Sequence, residues 1–103
     1  MSVSLWVSWQ DGKREEVLLS PQHAASVVWA DVARRLNLKH YDGVFPMYLD
    51  KENLEEIIAE FGAIRDAVGD QSPGAQFEYG RLSRLIDHLE RLKSGDGWEA
   101  SIG

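Results

Sequence analysis

Three observations predict an α+β domain in which a small antiparallel sheet, an N-terminal hairpin plus a C-terminal strand, packs against three α-helices. The first is period-two alternation at both ends of the chain. Val3, Leu5, Val7 and Trp9 alternate with Ser4, Trp6 and Ser8, while Trp98, Ala100 and Ile102 alternate with polar neighbours. The second is a set of three intervening stretches in which apolar residues recur every three or four positions. The third is size: 103 residues, 44% hydrophobic with four Trp, are enough for one core and too few for two. Residues 1–103 are therefore expected to form a single domain.

Each element has a local reason. Gln10-Asp11-Gly12-Lys13 reads as the hairpin turn, because Asp-Gly supplies the positive φ a tight reversal needs. The return strand then covers Arg14 to Leu19 with Val17 and Leu19 inward. Ser20-Pro21 reads as a helix start, serine capping free N–H groups and proline tolerated in the first turn. That predicts a helix from about Pro21 to Leu36 with Ala25, Val28, Trp29, Val32 and Leu36 buried. Residues 37–49 have no helical period and read as an apolar loop. Within it Val44, Phe45, Met47 and Leu49 are candidates to close the core, and Tyr41 and Tyr48 are expected at the surface. Asp50 is the expected N-cap of a second helix reaching about Val68, with Leu54, Ile57, Ile58, Phe61, Ile64 and Val68 inward. Its polar face carries Glu52, Glu55, Glu56 and Glu60. Gly69 to Gly74 is a turn, and Gln76 to Lys93 forms a third helix buried through Leu82, Leu85, Ile86, Leu89 and Leu92.

Charge is unevenly spread. The chain carries a net charge of −6, and all of it is accounted for by residues 42–70, where Asp42, Asp50, Glu52, Glu55, Glu56, Glu60, Asp66 and Asp70 face only Lys51 and Arg65. No Lys or Arg follows Glu52, Glu55, Glu56 or Glu60 by four positions, and the Glu52/Glu56 and Glu56/Glu60 pairs repel by about 0.2–0.5 kcal/mol each. Such a surface favours a basic protein partner and disfavours nucleic acid and anionic membrane. The stripe Arg81, Arg84, His88, Arg91 on the third helix is interrupted by acids and reads as intrahelical pairing.

Catalytic and cofactor signatures are lacking. Without cysteine there is no thiolate chemistry, and His23, His40 and His88 have no ligand spacing for zinc. The serines lack a nucleophile-elbow context, no glycine loop is built for phosphate, and Asp66 to Gly74 lacks the order of a calcium loop. No catalytic, cofactor-binding or metal residue is assigned, and the chain is expected not to be an enzyme. The absence of cysteine, of a signal-like leader and of an apolar run near the ~20 residues that cross a bilayer points to the cytoplasm. An outward face of Ser4, Trp6 and Ser8 on an edge strand would be open to pairing with a second copy, so a monomer or a homodimer is expected.

The strand pair, the terminal Trp-bearing strand and the stretch Tyr41-Asp42-Gly43-Val44-Phe45-Pro46-Met47-Tyr48-Leu49-Asp50 opening an acidic helix resemble the build of small acidic bacterial immunity proteins of polymorphic toxin systems. The resemblance implies a compact cytoplasmic protein that binds and blocks a toxin, often a basic nuclease. The resemblance carries over no residue roles; the acidic helix face and the aromatic loop themselves make Tyr41, Asp42, Phe45, Tyr48, Asp50, Glu52, Glu55, Glu56 and Glu60 the expected partner-binding residues. The alternative is a small ligand-binding or enzymatic domain with a pocket between residues 37–49 and the second helix, lined by Tyr41, Phe45, Tyr48 and Asp42.

Overall fold

The computed structural model describes residues 2–21, 28–41, 46–69 and 75–103. Among them it is an α+β fold with strands β1 (Ser2–Trp9), β2 (Arg14–Pro21), β3 (Met47–Leu49) and β4 (Trp98–Ile102). The helices are α1 (Ala30–Leu36), α2 (Leu54–Val68) and α3 (Ala75–Lys93). The sheet is antiparallel throughout, in the order β2-β1-β4-β3. The C-terminal strand joins the N-terminal hairpin as expected, and the two terminal strands lie together at the centre of the sheet.

The hairpin turns where expected. Gly12 has φ 92° and donates to the Trp9 carbonyl at 3.0 Å, while the Lys13 N–H is held by the Asp11 carboxylate at 3.0 Å. Pairing shifts between Val3 and Ser4, leaving Leu19 as the extra residue of a β-bulge with its side chain buried. The inward side chains Val3, Leu5, Val7, Leu19, Met47, Leu49, Trp98, Ala100 and Ile102 share one core with the helical stripes. At its centre the Phe61 ring lies 5.3 Å from Tyr41 and 6.3 Å from Trp29, centroid to centroid. All five inward leucine and isoleucine positions expected of α3 are buried.

Several expectations need correction. Pro21 does not start a helix; it ends β2, paired with Ser2, because the bulge lets the strand run two residues past Leu19. The described helix begins at Ala30, its inward face is Trp29, Ala30, Val32 and Ala33, and Val28 and Leu36 are exposed. Ala25 lies outside the described residues. Leu36 is left outside because the chain reverses directly after it: Asn37 adopts φ 56°, and the Asn37 and Leu38 N–H groups donate to the Arg34 and Ala33 carbonyls, a Schellman ending. Leu38 then packs on the core in its place.

The segment 37–49 is also not all loop, since Met47–Leu49 forms the edge strand β3 against β4. With β4 on one side and β2 on the other, β1 is a central strand, so Ser4, Trp6 and Ser8 do not lie on an edge. A further correction concerns Tyr41, which is 1% exposed and part of the core. The aromatic cluster around Phe61 has taken it inward.

Candidate functional site

The acidic helix does not start from Asp50 as expected: it begins at Leu54 with Asn53 at its N-cap position, and Asp50 instead braces the turn of residues 51–53 that precedes it. The Asn53 N–H donates to the Asp50 carboxylate at 2.8 Å and the Asp50 N–H donates to the Asn53 side-chain oxygen at 2.9 Å, a reciprocal cap on the turn that leads into α2. Lys51 reaches across to Asp96 at 2.6 Å, which holds the Asp96 carboxyl below its ordinary pKa by hydrogen bonding and charge.

Along α2 and the turn that precedes it the four glutamates separate into three situations. Glu52 and Glu55 are exposed and make no ion pair among the described residues. Glu56 is exposed but partnered, 2.6 Å from His40 Nε2 and 3.6 Å from Lys39 Nζ. The hydrogen bond to His40 and then the Lys39 charge lower its pKa, so the neutralisation missing along the helix comes from the preceding segment. Glu60 is not part of a surface at all. It is 9% exposed, and its carboxylate accepts the His40 N–H at 3.0 and 3.1 Å and the Tyr41 N–H at 3.0 Å. A helix position on the polar stripe becomes buried here because backbone donors from another segment need an acceptor.

Tyr48 stands where an exposed aromatic was expected, 74% exposed between the buried Met47 and Leu49. Its neighbours are different from those anticipated. Because Tyr48 pairs with Ser101 and Ser101 with Trp6, the aromatic next to it across the sheet is Trp6, 48% exposed, with Leu18 exposed further along the same face. Tyr41 lies on the helix-covered side of the sheet against Phe61 and Tyr48 on the open side, so the two cannot line one cleft. Tyr41 and Tyr48 therefore do not jointly line the pocket expected between residues 37–49 and α2. Asp42 and Phe45, the other side chains assigned to it, lie outside the described residues, as does His23.

Trp6, Ser8, Tyr48, Glu99, Ala100 and Ser101 line a shallow groove on the open sheet face. Sequence alternation puts Trp6 outward but does not connect it with Tyr48, because β3, the strand that carries Tyr48, is only three residues long. A second hollow lies at the seam of the hairpin and α3, with an apolar floor of Leu5, Val7, Val17 and Leu92 and with Glu15, His88 and Arg91 at its rim. Desolvation there, then the Arg91 and Arg84 charges, lower the His88 pKa against the opposing pull of Glu15 and Asp87. His88 and Arg91 are also directly hydrogen-bonded.

Among the described residues no three His, Asp or Glu side chains are placed to hold a metal ion, and no helix is long and apolar enough to cross a membrane. No family model, curated protein or solved structure matches the chain.

Proposed function

We propose that this chain is a non-enzymatic protein-binding module that neutralises a basic partner in the cytoplasm, in the manner of an immunity protein acting on a toxin such as a nuclease. The observation that carries the reading is the open sheet face: Trp6 and Tyr48 stand exposed on either side of Ser101, and no described segment packs over them. Exposed Trp and Tyr together are the side chains that dominate protein interfaces. Glu52, in the turn before α2, and Glu55, in its first turn, supply unneutralised negative charge in the segment that follows Tyr48, and such charge draws a basic protein into encounter. The binding residues of this proposal are Trp6, Tyr48, Glu52 and Glu55. Tyr41 and Glu60 belong to the core that supports them.

The test is capture from the native host on immobilised protein at low salt, followed by assay of what is retained. A Lys/Arg-rich protein that elutes by about 0.5 M salt, where screening has cut the reach of charge to a few ångströms, and whose activity is lost on adding one equivalent of the chain, supports the reading. Retention of no basic protein at low salt, or retention without inhibition, rejects it.

A further inference from the structure

The groove between Trp6 and Tyr48 has a shape and a polarity that select its occupant. The two aromatic residues are next-nearest strands in one row, so a strand spacing of about 4.8 Å sets them roughly 10 Å apart with only Ser101 between. The Trp6 Nε1–H reaches the Gly103 carbonyl at 3.4 Å; Gly103 follows β4, so the indole lies over the end of that strand opposite to Glu99. A flat cation seated over Ser101 would have an aromatic side chain on each flank, and an aromatic ring attracts a cation within about 6 Å. At one end of the groove is Glu99, two residues from Ser101 and on the same face. Glu99 makes no ion pair among the described residues, Arg14 being two strands away in the same row and more than ion-pair distance from it.

We infer that this groove receives one arginine side chain of the basic partner, the guanidinium stacked between Trp6 and Tyr48 and hydrogen-bonded to Glu99. An aliphatic side chain would leave the Glu99 carboxylate without a counter-charge, and an acidic one would be repelled by it. Lysine carries the right charge, but its ammonium is compact and strongly hydrated, whereas guanidinium is flat, weakly hydrated and forked to match a carboxylate. The inference rests on the basic-partner reading and names the side chain which that partner presents.

Titration of the labelled protein with N-acetyl-arginine methylamide, followed by NMR, tests it without the partner. The Trp6 indole N–H and the amides of residues 99–101 should shift and saturate at millimolar concentration. The citrulline analogue, isosteric but neutral, should bind at least about ten-fold more weakly, and the lysine analogue should fall between. Tyr48→Ala and Glu99→Gln should each weaken arginine binding about two- to five-fold, the usual worth of one exposed ring or charge; Tyr48→Phe should not. Equal binding of citrulline overturns the inference, as does a Trp6 resonance that moves with protein concentration and ignores arginine, which would mean that a second copy covers the face. Shifts confined to Glu52 and Glu55 overturn it while leaving the basic-partner reading intact. Saturable binding at the groove in a protein that captures no basic partner upholds the groove and removes the reading.

Discussion

At the scale of single residues, the fold uses two buried glutamates as acceptors for groups that neighbouring segments cannot satisfy. Glu60 holds the His40 and Tyr41 N–H groups, and Glu78 accepts the Trp29 indole N–H at 2.8 Å while pairing with Arg81 at 2.6 Å. Glu60→Ala should cost about 2 kcal/mol or more in urea unfolding, because two donors lose their acceptor and one is fully buried. Glu60→Gln keeps one carbonyl oxygen and should cost less. Unchanged stability in Glu60→Ala would mean that water serves those donors equally well. Spacing along α2 assigns Glu60 to the polar stripe, and nothing in the helix itself reveals that its carboxylate is consumed by a segment twenty residues earlier. His88 offers a pH test. Its folded pKa is lowered, so the unfolded chain protonates first as pH falls through about 6.5. The stability it contributes is whole above that value and is lost as pH falls toward the folded pKa. His88→Gln should therefore flatten the fall in urea midpoint between pH 7.5 and 5; an unchanged slope would place the proton-linked group elsewhere.

Elements differ in how far local sequence determines them. The hairpin, α3 and β4 carry long, strongly periodic patterns and cap or turn residues, and each forms where those patterns lie. Asp50 shows the same local logic: Asp50→Ala should remove about 1 kcal/mol, read from thermal unfolding, since its carboxylate caps the turn before α2. Two elements were not legible in this way. β3 is three residues long and exists because β4 offers it a partner fifty residues away in sequence, a pairing that no local pattern of Met47-Tyr48-Leu49 encodes. The Ser20-Pro21 signal has two readings, helix start or strand end. A bulge at Leu19, set by pairing with β1, decides for the strand. Helix α1 ends at Asn37 for a reason that is local but easily missed, its left-handed backbone. Asn37→Gly should be neutral or slightly stabilising, whereas Asn37→Ala should cost about 1 kcal/mol in the same measurement.

Across the whole molecule, the proposed binding role divides attraction and adhesion between different surfaces. Tyr48 and Trp6 project from the open face of the sheet, whereas the helices cover the other face, so the exposed glutamates of α2 do not share a plane with the aromatic row. The excess negative charge of residues 42–70 was legible in the sequence. Its division into Glu52 and Glu55 free, Glu56 partnered and Glu60 buried was not, because each fate depends on residues 39–41 folding over α2. This division determines which variants separate the two roles. Charge reversal at Glu60 would leave the His40 and Tyr41 donors facing a cation and unfold the protein, so Glu52→Lys with Glu55→Lys is the informative pair. With the basic partner in hand, that double variant should melt normally, associate several-fold more slowly at low salt and lose most of its salt dependence, while dissociating at nearly the wild-type rate. Tyr48→Ala should do the reverse, leaving association nearly unchanged and speeding dissociation by roughly thirty-fold, the equivalent of about 2 kcal/mol for an aromatic anchor that fills a site. Stopped-flow association and dissociation rates at two salt concentrations distinguish these outcomes. Equal dissociation rates for Tyr48→Ala and wild type, in proteins that melt alike, would show that the partner binds away from the sheet face and that the helix charges hold it as well as steer it.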